Sequence, residues 1–126
     1  MTKFSNDEVL DKALAHIQGQ SKRICACNAY PTTFTEAVST YKLAYTTISS
    51  PDFTLGNGDT SGRKVTVGQK ASVPVSTTGS ANHVALVDTS GAGKVLYVTE
   101  VSATQQLTSG NTMTFEAWDI EIRDPT

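Results

Sequence analysis

Charge is sparse in this chain of 126 residues: Asp, Glu, Lys and Arg make up 17% of it, and the formal net charge is −2. A balance so close to neutral gives no electrostatic ground for binding nucleic acid or an anionic membrane surface. Aromatic residues are few and scattered, without the basic–aromatic interleaving that single-stranded nucleic acid favours. No apolar run approaches the length that spans a bilayer. The opening MTKFSNDEVLDKALAHIQ has Asp7, Glu8 and Asp11 where a secretory signal carries a basic region and an apolar core, so folding in a cytoplasm is expected. Cysteine is nearly absent. Cys25 and Cys27 lie two apart, where strand side chains point the same way and resist a mutual disulfide. Two thiols are too few for a zinc site, and neither His16 nor His83 stands at a finger-like spacing. Two free, half-buried thiols are expected, the alternative being a pair that bridges to another copy.

Ser and Thr are abundant, at roughly a quarter of the chain, well above ordinary usage. Thr suits strands and Ser suits turns, so the composition leans towards β-structure. Residues 6 to 18 predict an amphipathic helix with Val9, Leu10, Ala13, Leu14 and Ile17 on one apolar stripe. Ser5 with Glu8 matches a capping box and Gly19 a stop. Lys22 to Ala29 predicts a short strand ended by Pro31. Thr33 with Glu36 matches a second capping box, ahead of a short helix over Glu36 to Ala44 with Ala37, Val38 and Tyr41 on one side. Tyr45 to Ser49 could equally begin a strand. Beyond Ser50, turn-forming clusters (GNGDTSG, TTGSAN, TSGAG, TSGN) separate five β-branched runs: 63 to 67, 71 to 77, 83 to 88, 94 to 102 and 112 to 122. Strands at such spacing predict an antiparallel β-sandwich or barrel. The fold class is therefore α+β, mainly β, in a single domain 1–126. Residues 1–45 form a helical N-terminal segment, and residues 46–126 form the β module.

SGAGK at 90 to 94 resembles a phosphate-binding loop only in its last two residues. The first glycine of such a loop would fall on Asp88, the magnesium hydroxyl on Val95, and VLYVTEV has no helical period. A hairpin fits instead, with glycines at positive φ in the turn. Both faces of its strands are apolar, which places it within a sheet covered on both sides, by the helix or by a neighbouring subunit.

Other polar groups read as ordinary structure. His16 edges the helix stripe, and His83 opens a strand without a nucleophile motif. Glu116 is out of phase with Asp119 and Glu121, which alternate with Trp118, Ile120 and Ile122 as a solvent face. Asn57, Asp59 and Asp52 lack the full calcium-loop pattern. No catalytic, cofactor or metal residue is assigned.

The order of segments carries a resemblance. The amphipathic helix, RICACNAYPTTFTEAVSTYKLA, SGRKVTV (61 to 67), HVALVD (83 to 88), LTSGNT (107 to 112) and DIEIRDP (119 to 125) resemble a family of small virion-associated proteins of tailed bacteriophages. The resemblance spans nearly the whole chain and contains no catalytic motif. It implies a non-enzymatic structural component made in the bacterial cytoplasm and carried in the virion. The expected role is head decoration or a spike base, contacting other virion proteins and copies of itself. The alternatives are a tail-fibre receptor or glycan-binding module using loops 56–62 or 77–82, and a neck or collar component. The interaction surface is placed on Val9, Leu10, Leu14 and Ile17 of the helix and on Val84, Leu86, Leu96 and Val98 of the hairpin.

Overall fold

The structure, a computed structural model, describes residues 2–126. An arm without regular structure, residues 2–6, leads into α1, Asp7–Gln20. Its cap is Asn6 and not Ser5: the Asn6 side chain accepts a hydrogen bond from the Glu8 N–H at 2.8 Å. Gly19 does not stop the helix, which ends where Ser21 turns extended. Leu10, Leu14 and Ile17 face the protein, whereas Val9 and Ala13 face solvent. At about 100° per residue, positions 10, 14 and 17 share a narrow wedge. α1 docks on two strands, β3 (Phe53–Asn57) and β4 (Arg63–Val67), through that apolar wedge, with Asp11 accepting from Arg63 Nε at 2.7 Å and Gln18 donating to Phe53 C=O at 3.4 Å beside it, so the apolar contact is narrower than the predicted stripe.

Among the described residues nine strands follow, all antiparallel. A large sheet has the order β2-β1-β6-β7, built from Lys42–Thr47, Arg23–Cys27, Gly79–Asp88 and Lys94–Leu107. A second sheet has the order β3-β4-β9, from Phe53–Asn57, Arg63–Val67 and Trp118–Ile122. β5, Lys70–Pro74, pairs with β8, Thr112–Phe115. The result is mainly β and sandwich-like, not a closed barrel.

Several boundaries differ from the sequence expectation. The second helix is a short π-helical turn, Glu36–Thr40, and the chain is already in β2 from Lys42. The run 112 to 122 divides at Glu116–Ala117 into strands of two different sheets. β3 was hidden because Gly56 and Asn57 resemble a turn; the actual turn lies beyond them, closed by Gly58 N–H donating to Gly62 C=O at 3.0 Å. Residue 45 marks no structural boundary, since β1 and β2 both belong to the large sheet.

β1 and β6 lie inside the large sheet, and alternation gives each of them two buried faces. Ile24, Ala26 and Leu86 enter the main core with Leu14, Leu43, Phe53, Val65 and Phe115. Cys25, Cys27, Ala85 and Val87 form a second core, closed by Phe34, Ala37, Val38 and Tyr41. Cover for the second face of the hairpin thus comes from the chain's own 34–41 segment. Of the hairpin, only β6 is interior; β7 is an edge. The segment is pinned by the predicted capping box: Thr33 N–H donates to Glu36 Oε1 and Glu36 N–H to Thr33 Oγ1, each at 3.2 Å.

The hairpin turn and the second core meet at Gly93. Its φ is +82°, and a Cβ there would stand 2.5 Å from the Phe34 ring. Gly91 has φ +60° but nothing within 4 Å. Gly93→Ala is expected to destabilise by about 2–4 kcal/mol through backbone strain and displaced Phe34, and Gly91→Ala by about 1–2 kcal/mol through strain alone. Equal shifts in denaturant midpoint would disprove the Phe34 contact.

Both thiols are fully buried, more deeply than expected. Burial pushes the Cys25 thiol up to about 11 and the Cys27 thiol up to about 12. Neither is therefore a thiolate at neutral pH, nor exposed for bridging to another copy. A maleimide reagent at pH 7 is expected to label neither cysteine in the native protein and both in denaturant; rapid native labelling would contradict this packing.

Candidate functional site

A concavity lies where two consecutive strands fail to pair. β7 passes into β8 through Thr108–Asn111, yet β8 pairs with β5. The connecting turn is held on the β5 side: Gly110 N–H donates to Val75 C=O at 3.1 Å, Val75 N–H to Asn111 C=O at 2.9 Å, and Ser109 N–H to Thr78 Oγ1 at 2.9 Å. Just past β5, Val75 bridges to Ala44 of β2, and Ser76 N–H donates to Leu43 C=O at 2.9 Å. The strand succession β8-β5-β2-β1-β6-β7 is thereby continuous everywhere except between β7 and β8. A cleft of about 750 Å³ occupies that seam, within the range of ligand cavities.

β7 itself explains the opening. Leu96 has no partner between the Leu86–Tyr97 and Val87–Val95 pairs. Further on, His83 faces Glu100 and Ala81 faces Gln105, so Val101–Thr104 stand opposite Asn82 alone. Extra residues bend and twist a strand and break its outer edge, which turns β7 away from β8.

The floor of the seam is apolar, from Ala26, Val84, Leu107, Phe115 and Trp118. Its walls carry Thr99, Gln105, Thr112 and Thr114, with Glu100, Glu116 and Asp119 as the charged groups. Among the described residues no Lys, Arg or His lines it. The Trp118 ring lies 5.8 Å from that of Tyr97, and its enclosed Nε1–H has no acceptor among the described residues. Such an orphan donor costs about 1–3 kcal/mol.

Asp119 stands at the boundary between seam and outer sheet face. It accepts from Thr66 Oγ1 at 2.7 Å and from Lys64 Nζ at 3.3 Å. The Thr66 hydrogen bond, with Lys64 beside it, holds the carboxyl below its ordinary range against the opposing effect of desolvation. Glu116 lines the seam with it, but the next acidic residue along the strand serves elsewhere. Glu121 accepts from Thr60 N–H at 3.3 Å, closing the 58–62 turn. Asn57, Asp59 and Asp52 each serve a different cation: Arg63, Lys64 and Lys70. Among the described residues no three His, Cys, Asp or Glu side chains converge as metal ligands. His16 is exposed, and His83 stacks on Tyr30 with ring centroids 5.6 Å apart.

The eight residues assigned to interaction do not form one surface. Leu10, Leu14 and Leu86 are buried inside the chain. Ile17 and Val84 pack against the main core and Val98 against the second. Leu96 is half-buried at its bulge. Val9 alone is largely bare, at 63% exposed, with Phe4 at 83% on the arm preceding it. Sequence reasoning missed Phe4, which has no periodic context, and missed the seam, which depends on pairing that β7 and β8 do not make. Comparison with known proteins finds no match to this chain: no family model, no curated protein and no solved structure.

Because the Asp119 pKa is lowered on folding, its contribution to stability is present above the unfolded value, near pH 4, and is lost as pH falls through the folded value. Asp119→Asn is expected to flatten the acid limb of the stability profile. At neutral pH the loss is expected to stay under about 1 kcal/mol, because the site is partly solvated. An unchanged acid limb in urea titrations would refute this linkage.

Proposed function

We propose that the chain is a non-enzymatic structural subunit of a tailed-bacteriophage virion, a head-decoration or spike-base component that meets other virion proteins and copies of itself. The observation that carries this reading is the apolar surface that the fold leaves uncovered. Phe4 and Val9 flank the start of α1 and are bare, although α1 buries its opposite wedge in the core. Phe4 and Val9 are two of the four large apolar side chains left exposed among the described residues, and they support placing an association surface at this end of α1. The unpaired β7 edge supports the same reading, since an open strand edge is a template for another chain. The order of segments that resembles small phage virion proteins supplies the setting.

The test is mass spectrometry of gradient-purified particles from an infected culture that encodes the chain. Its peptides are expected at a fixed stoichiometry to the shell protein, resistant to washing. Recovery only in the lysate supernatant would defeat the reading.

A further inference from the structure

We propose that the arm Thr2–Asn6 of one copy enters the β7–β8 seam of a second copy as an added strand. Copies of this chain would thus join by strand exchange. The proposal rests on the self-assembly part of the structural reading above and names the contact that performs it.

Three properties of the seam define its occupant. First, it is bounded by strand edges on both sides: β7 is the edge of the large sheet, and β8 pairs only with β5. An extended segment placed there can hydrogen-bond through its backbone, as in strand addition. Second, its floor is apolar and includes Phe115 and Trp118. Third, its walls carry acid without base, and Glu100 and Glu116 take part in no salt bridge among the described residues.

The arm answers each property. Residues 2–6 precede the helix without regular structure, and Asn6 is extended at φ −69° and ψ 143°. Phe4 is 83% exposed, an aromatic side chain that its own chain leaves bare. In an added strand the side chains alternate. With Phe4 directed to the floor, Lys3 and Ser5 point to the mouth, where the exposed Glu100 and Glu116 stand. Five extended residues cover about 17 Å, enough to run alongside β8. The arm's own seam is poorly placed to receive it. The arm lies beside Asp124, beyond the C-terminal end of β9, while the seam opens on Glu116–Asp119 at the other end of that strand.

The experiment measures self-association of the full chain by sedimentation equilibrium. Phe4→Ser and Lys3→Glu are each expected to raise the dissociation constant at least about tenfold, with an unchanged melting curve at dilutions where wild type and variants are all monomeric, because the arm is outside both cores. Joining Lys3→Glu to Glu100→Lys and Glu116→Lys is expected to restore association. A Ser5→Cys, Glu116→Cys double variant, which keeps Phe4 and Lys3, is expected to give a disulfide-linked ladder on a non-reducing gel after mild oxidation, the native thiols being buried. A monomeric wild type, or association that ignores every arm variant, would overturn the proposal. Arm-independent association in a chain that still co-purifies with particles would sink this contact and leave the virion reading intact. Arm-dependent association in a chain absent from particles would do the reverse.

Discussion

The two interior strands of the large sheet impose the constraint on which the rest depends. β1 and β6 are buried on both faces, with Ile24, Cys25, Cys27, Ala85, Leu86 and Val87 fully enclosed. Period-two alternation sends neighbouring residues to opposite sides, so the chain must build two covers. One is the second sheet with α1, over Ile24 and Leu86. The other is the 34–41 segment, over Cys25 and Val87. The second cover is only a single turn wide, and small residues (Ala37, Ala85 and the two cysteines) let it approach. Gly93 belongs to the same logic, because Phe34 occupies the space where any other residue would place its Cβ.

Much of this was legible in the sequence. The Arg63–Val67 strand, the hairpin around SGAGK and the Thr33–Glu36 capping box are local features, set by alternation, by glycine at positive φ and by a hydroxyl three residues before a carboxylate. What escaped depended on tertiary partners. β3 ends in Gly56 and Asn57, which are poor strand formers, yet they pair with Lys64 and Arg63 because β4 holds them in register. Val9 and Ala13 follow the helical period as well as Leu10 does, but the docking wedge is too narrow to include them. The apolar back of the hairpin left the N-terminal helix and a neighbouring subunit as candidate covers; the apolar side Ala37, Val38 and Tyr41 closes it instead, a pairing set by the tertiary path and not by local pattern.

The seam follows from β7. At fourteen residues it is the longest strand, and an unbroken strand of that length beside β8 would invite closure of the barrel. The unpaired Leu96 and the four residues 101–104 set against Asn82 prevent this by bending the strand. Meanwhile the Thr108–Asn111 turn is tied to Val75 and Thr78, which commits β8 to β5. The opening is thus held by hydrogen bonds on one flank and by bulges on the other, not by a lack of packing residues.

An open edge is a hazard unless it discriminates. Unpaired strands recruit one another without regard to sequence, and charge is a common means of limiting that. Glu100 and Glu116 place like charges on the two walls of the seam. A second β7 or β8 edge brought against them adds further carboxylates at close range, and like charges across strands oppose pairing. A segment with a cation next to an aromatic residue meets no such penalty. Lys3 and Phe4 supply that pair in the arm ahead of the helix. The same two carboxylates that guard the edge against indiscriminate pairing thereby set the terms on which a strand may enter it.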